Sequence, residues 1–296
     1  MAESSEQTLH DLVEDARPEV RSQLFTSSEE QTAEIEQEVR RTQELIGDVQ
    51  PLSELAQLYK DNSKEFFEKA QALSARYKGW RRVRGDGLCF YRAMLVALLE
   101  RALQDKDTLE KLTAKLTEWK GRCIKELNYP DFTTEDFFDT AQSFVSELSS
   151  GAVTSERALM ERLRDENFCT YLLTPFKLMA SGYLRWKAEE FAGFVDEGLT
   201  VDEYCKSRVD PTYVEVDHLQ IVALTSALEQ PTRVEYVDRN AAPAGGLHHD
   251  FPTAEAVSAA AATTVAESAP KCPPFVVALL YRPGHYDLLY DYDKKE

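Results

Sequence analysis

Two stretches far apart in the chain hold side chains that could do covalent chemistry. The first is Gly85-Asp86-Gly87-Leu88-Cys89-Phe90-Tyr91-Arg92-Ala93. Two glycines flank an aspartate there, and a cysteine opens an apolar run. Glycine reaches backbone conformations closed to other residues, so a sharp turn before Cys89 can present its amides. A cysteine at a helix N-terminus meets the positive end of the helix dipole, which favours the nucleophilic thiolate. Amides beside it can receive a developing oxyanion. These are the parts of an acyl-transfer site. Taken alone, Cys89 reads more readily as a buried, inert thiol.

A thiol nucleophile needs a base. The five histidines are His10, His218, His248, His249 and His285. His10 falls in a polar tail, His248 and His249 in a stretch that reads as an exposed insertion, and His218 in a helix. His285 directly follows the tight turn Arg282-Pro283-Gly284, and Asp287 lies two residues on. On a strand, residues i and i+2 share a face, so His285 and Asp287 project together. A carboxylate beside an imidazole fixes its tautomer and stabilises its charged form. The plainer reading is a surface His and Asp on a hairpin.

The elements around these stretches must position them. Residues 89–104, CFYRAMLVALLERALQ, are helical in pattern and nearly apolar all round, which places that helix inside a core. Further helices are expected over 52–77, 107–127, 134–149 with Thr133 or Thr134 as its cap, 153–165, 168–192, 200–208 and 217–228. Strands are expected near 80–84 and at 233–238, 275–281 and 285–291, the last two as a hairpin. The basic run RYKGWRRVR over 76–84 reads as a solvated strand available to a partner. Residues 239–274 read as an exposed insertion, with eight alanines among the sixteen residues of 254–269. Helices first and strands late give a mixed α/β domain with a small sheet and a helical majority.

Taken together, the two stretches are far more specific than either alone. They resemble the otubains, the OTU-type cysteine peptidases that remove ubiquitin. GDGLCFYRA is similar to the family's Cys-box and YRPGHYDLLY to its His-box, with SGYLR (181–185), DHLQIVALTSAL (217–228) and VEYVDR (234–239) as further matches. The resemblance runs from about residue 33 to 292. It implies an α+β fold of the OTU, papain-like type, with a mainly antiparallel sheet. It makes Cys89 the nucleophile, His285 the general base and acid, and Asp287 the residue that orients His285. Asp86 and the backbone amides of 86–89 fall where the family forms its oxyanion hole. His218, Ile221, Tyr281, Pro283 and Tyr286 become candidate ubiquitin contacts, with core packing as the plainer role of Ile221. The implied substrate is polyubiquitin, preferentially 48-linked, and no cofactor or metal is required. A helix over 33–48 occupies the place where some family members meet a ubiquitin-conjugating (E2) enzyme, so the resemblance also implies non-catalytic binding and restraint of E2 enzymes, and a mainly non-catalytic E2 and ubiquitin regulator is the alternative function. The chain departs from the family in having Gly85 where proline is common and Leu88 where asparagine is common.

Composition agrees with a protein partner. The 296 residues carry 52 acidic and 34 basic side chains, a net charge of −18, and 43% of them are hydrophobic, enough for a substantial core. Thirteen acidic and four basic residues fall in 1–50, so half the excess sits in an acidic arm whose first 32 residues read as a disordered tail. That balance excludes nucleic acid as the main partner, because phosphate neutralisation needs clustered Lys and Arg. Residues 33–46 read as a short helix with a thin stripe of Ile35, Val39 and Ile46. No apolar run reaches the ~20 residues of a membrane span, and the N-terminus lacks the pattern of a signal peptide. The five cysteines, Cys89, Cys123, Cys169, Cys205 and Cys272, form no CxxC pair. The expectation is a soluble protein with reduced thiols, in the cytoplasm and open to the nucleus. The catalytic domain is expected to span 49–296, with the Ala-rich insertion over about 240–273.

Overall fold

The computed structural model describes residue 34 and residues 37–240, 247–252 and 276–291. The expected tail at 1–32, the alanines of 254–269 and Cys272 lie outside the described residues. The chain divides into two units, Met1–Glu44 and Leu45–Glu296. Within the first, residues 37–42 are helical and Glu38 pairs with Arg41 at 2.7 Å. The helix expected over 33–46 therefore stops short. Ile46 opens a strand instead, because its fully buried side chain pairs in register with Val83.

The second unit is built on a six-stranded sheet. Its strands are β1 (Ile46–Pro51), β2 (Tyr77–Val83), β3 (Thr232–Tyr236), β4 (Leu247–Phe251), β5 (Val277–Arg282) and β6 (His285–Asp291), in the spatial order β1-β2-β6-β5-β3-β4. All neighbours are antiparallel except β3 and β5, which run parallel. The sheet is thus mainly antiparallel, with a helical majority, as expected. Strand β4 was not expected, since it lies inside the stretch read as an insertion. Its LHHDF sequence lacks a run of β-branched residues, and its place is set by edge pairing with β3.

Helices cover both faces of the sheet. On one face lie α1 (Leu52–Tyr59) and α2 (Lys64–Leu73), which pack with Trp80, Val237, Leu280 and Leu289 in a small core. The single helix expected over 52–77 breaks at 60–63, where Ser63 accepts from the Phe66 amide and starts α2 as its N-cap. Tyr77 then opens β2. On the other face lies α3 (Cys89–Gln104), with twelve buried residues, inside the main core. It is surrounded by α4 (Lys106–Lys125), α5 (Asp131–Ser150), α6 (Glu156–Leu163), α7 (Glu166–Trp186) and α10 (His218–Leu228), with the one-turn helices α8 (Ala188–Phe191) and α9 (Val201–Tyr204) between α7 and α10. Helix α5 begins at Asp131 after Pro130 rather than at Thr133 or Thr134; Thr134 is a buried residue within it.

The basic run at 76–84 is not a solvated strand. Strand β2 lies between β1 and β6, Arg81 is 1% exposed, and its guanidinium pairs with Glu100 and Glu156. Arg76 pairs with the buried Glu235 and Arg84 with Glu166. Arg76, Arg81 and Arg84 are thus paired with carboxylates, whereas Lys78 and Arg82 of the same run are exposed.

Candidate active site

Cys89 is the first residue of α3 and 4% exposed. No side chain caps this helix: Leu88 stands at the cap position without a side-chain hydrogen bond. The first-turn amides and the positive dipole end are therefore presented beside the thiol. The turn before it is tightly determined. Gly87 has φ +77°, and a Cβ there would lie 2.5 Å from the carbonyl carbon of Tyr213, so no side chain fits. Asp86 accepts from the Leu88 amide at 3.1 Å and receives both terminal nitrogens of Arg92 at 2.8 Å. Arg92 also donates to the Arg84 carbonyl. Asp86 is thus an acceptor that shapes the turn. Its carboxylate offers no hydrogen to an oxyanion, and the donors available there are backbone amides.

His285 and Asp287 lie on β6, just after a turn in which Gly284 has φ +73°. Nε2 of His285 is 2.7 Å from Oδ1 of Asp287. With Nε2 so engaged, Nδ1 is the nitrogen left for the Cys89 thiol, which helps to hold the ring in its charged form. Burial would lower the His285 pKa, but the bonds to Asp287 and Cys89 and their charges outweigh it and push it up to about 9. Asp287 is fully buried. Burial would raise its pKa, yet His285, the Arg282 charge and the Val83 amide hold the carboxyl below its usual range. The structure therefore brings Cys89, His285 and Asp287 together with Asp86 at one end of α3.

Sequence reading missed the support of Asp287. Arg282 donates to its Oδ2 at 2.5 Å and the Val83 amide to its Oδ1 at 3.1 Å. Arg282 sits opposite His285 in the hairpin register, so an arginine immediately before the turn, facing an His-x-Asp strand, was a usable signal. Arg92 was missed in the same way: three residues after the cysteine, it lies one helical turn along from the Asp86 turn.

The candidate contact residues separate by burial. His218 is exposed at the start of α10, its ring 5.0 Å from that of Phe251. Pro283 is exposed and Tyr281 half-buried. Tyr286 is only 5% exposed, between the rings of Phe90 and Tyr281 at 5.6 and 5.2 Å, so it supports the site from below. Ile221 is 1% exposed and belongs to the core. A helix of mixed composition gives few cues to its inward face, and α10 turns Ile221 inward. His248 and His249, read as loop residues, stand on β4, with His249 5.1 Å from Tyr236.

The other described thiols are not reactive candidates. Burial pushes Cys123 up to about 12 and Cys169 and Cys205 to about 11. Among the described residues no cluster of three or more His, Cys, Asp or Glu could hold a metal, and no helix is long and apolar enough to cross a membrane.

Comparison with known proteins bears on the family and the fold. The profile of the Peptidase C65 Otubain family matches residues 38–291. The chain is 40% identical over 253 residues to a "Ubiquitin thioesterase otubain-like" protein of Caenorhabditis elegans, covering 85% of this chain and 83% of that one. It is 33% identical over 258 residues to human "Ubiquitin thioesterase OTUB1", covering 86% of each. The chain of a solved h/ceOTUB1–ubiquitin aldehyde–UBCH5B~Ub structure superimposes with a TM-score of 0.80 at 37% identity, over 91% of this chain and 99% of that one. A ceOTUB1–ubiquitin aldehyde–UBC13~Ub structure gives 0.77 at 39% identity, over 89% and 99%. With a match this long in sequence and fold, the chain belongs to the otubain family of C65 peptidases.

Proposed function

We propose that this chain hydrolyses isopeptide bonds in polyubiquitin, with preference for 48-linked chains, and that Cys89, His285 and Asp287 carry the reaction. The chain is a ubiquitin-specific cysteine peptidase of its family. The observation that carries the residue assignment is the 2.7 Å contact of Asp287 with His285, together with a thiol at an uncapped helix N-terminus whose charge helps to raise the His285 pKa.

The chemistry follows from the geometry. The Cys89 thiolate attacks the carbonyl of ubiquitin's terminal glycine, and the negative oxygen is received by amides of the 86–89 turn. His285, protonated at neutral pH, gives its proton to the departing lysine amine as the C–N bond breaks and a thioester remains. The neutral imidazole then takes a proton from water, whose oxygen attacks the thioester and restores the thiolate with the proton returned to His285. Asp287, pinned by Arg282 and Val83, holds the ring through both steps. No metal or cofactor enters. The exposed His218 and Pro283 and the half-buried Tyr281 are the candidate ubiquitin contacts. Reduced thiols suit the cytoplasm or nucleus.

The test is reaction with ubiquitin carrying a C-terminal electrophile, peptide mapping of the adduct, and cleavage of 48- and 63-linked ubiquitin dimers. Labelling of Cys89 and faster cleavage of the 48-linked dimer are expected. An adduct on another cysteine overturns the nucleophile assignment, and equal cleavage overturns the linkage preference.

A second activity, restraint of E2 enzymes without catalysis, is favoured by relatives solved with E2–ubiquitin conjugates. The helix at 37–42 is its candidate agent. Deleting residues 1–43 spares Leu45, whose carbonyl accepts from the Arg84 amide, so the catalytic unit keeps its fold. Inhibition of ubiquitin transfer is expected to fall about tenfold or more while dimer cleavage persists. Unchanged inhibition rules the helix out.

A further inference from the structure

Among the described residues three non-glycines have positive φ: Asn128, Tyr213 and Glu229. Asparagine tolerates that region, and Glu229 is the left-handed C-cap of α10. Tyr213 has neither reason. Its φ of 65° lies at 210–217, the part of the link between α9 and α10 that is neither helix nor strand. An aromatic residue held there costs about 1–2 kcal/mol, so its surroundings must impose the conformation.

Tyr213 presses its peptide onto the catalytic turn. The position of a Gly87 Cβ is 2.5 Å from its carbonyl carbon and 2.6 Å from its oxygen. Gly87 is two residues before the nucleophile. Anything that fixes Tyr213 therefore fixes the height of the 86–89 amides.

The link is fixed just upstream. Asp210 receives Arg185 at 2.8 Å and the Ser181 hydroxyl at 2.5 Å. The Pro211 carbonyl, two residues before Tyr213, receives Nζ of Lys177 at 2.6 Å. Lys177 stands on α7 in the wall of a cavity of about 450 Å³ that also borders Leu88 and Thr212. It is half-buried, and burial pushes its amine down to about 8 against the attraction of Asp210. Desolvating an amine to bind one backbone carbonyl is unfavourable unless that bond is useful. The bond spans from α7 to the strand of chain lying on the oxyanion turn.

We propose that Lys177 is a positioning residue: by holding the Pro211 carbonyl it keeps the Tyr213 peptide against Gly87 and so sets the amides that receive the oxyanion at Cys89. The proposal rests on the peptidase reading above. It acts on the transition state rather than on ubiquitin binding, because Lys177 touches neither the triad nor the exposed residues beside it.

The experiment is steady-state hydrolysis of a fluorogenic ubiquitin C-terminal amide by the full chain, as wild type, Lys177→Met and Lys177→Arg. The expected result for Lys177→Met is a kcat about tenfold lower or more with KM within about twofold. Arginine, a donor of similar reach, is expected to restore kcat to within about threefold, and amide exchange at 85–89 is expected to quicken only in the methionine variant. Lys177→Gln, one bond shorter and still polar, replaces the methionine variant if that fails to fold, with the same expected loss. Wild-type kcat in the methionine or glutamine variant overturns the proposal alone. So does an arginine variant as impaired as methionine. No turnover by wild type overturns the peptidase reading and this proposal with it.

Discussion

Asp287→Asn is expected to lower kcat about 10⁴-fold while the fold survives, as replacing the buried acid of a catalytic triad does. Asparagine fills the same space and can still accept from the Val83 amide, but it removes the negative charge on which both His285 and Arg282 rest. The imidazolium loses its main stabilising partner, so the His285 pKa falls from about 9 towards its ordinary 6.5. The pH behaviour gives the diagnostic. In the wild type the raised His285 pKa contributes stability that is complete below about 6.5 and is lost as pH rises through about 9. The protonated acid needed for the leaving amine disappears over the same upper range. The wild-type rate should therefore decline above about pH 9, and in the variant the decline should begin well below that. A pH profile of kcat/KM measures both. An unchanged alkaline limb would show that Asp287 does not set the His285 pKa.

Arg92→Leu is expected to cost about 3–5 kcal/mol of stability, because it strands a buried charge. Arg92 is 1% exposed and its partner Asp86 is 6% exposed by side chain. Leucine leaves the Asp86 carboxylate without its two closest donors and the Arg84 carbonyl without one. For a unit of this size the loss corresponds to a Tm lower by roughly 10 °C. The double change Asp86→Asn with Arg92→Leu removes both charges and should recover part of the loss, which a two-by-two cycle of denaturant midpoints would register. A single-variant cost below about 1 kcal/mol would mean that the pair is solvated and does not hold the turn.

The candidate catalytic groups, which the structure brings together, stood out in sequence because their signals are local. A cysteine after a glycine turn and before an apolar run announces a helix N-terminus. An His-x-Asp after Pro-Gly announces a shared strand face. The long helices α3, α4, α5 and α7 were legible for the same reason, since periodicity repeats within the element. What escaped notice depends on partners distant in sequence. Ile46 continues the Val39 stripe at helical spacing, but the pairing with Val83 decides its state. Arg76, Arg81 and Arg84 of the basic run looked free because Glu100, Glu156, Glu166 and Glu235, which pair with them, are scattered along the chain. Strand β4 exists through its neighbour β3, not through its own composition. Ile221 and Tyr286 carry the residue types of a recognition surface, and only the packed structure shows that they face inward.

The position of β6 has a consequence for how the enzyme comes into being. Among the described residues it is the last strand in sequence, yet in space it stands between β2 and β5, joining the β1-β2 pair to the β5-β3-β4 group. Until β6 is in place the two groups share no ladder, and α3 lacks the strand that carries its base. A ribosome reaches Cys89 long before His285, so on the proposed assignment a nascent chain holds its nucleophile without the residues that activate it. Completion of the sheet and the birth of activity are the same late event, and that event requires long-range pairing, which is intrinsically slow. A protease clipping the chain within β6 would erase activity and open the sheet at its centre in a single cut.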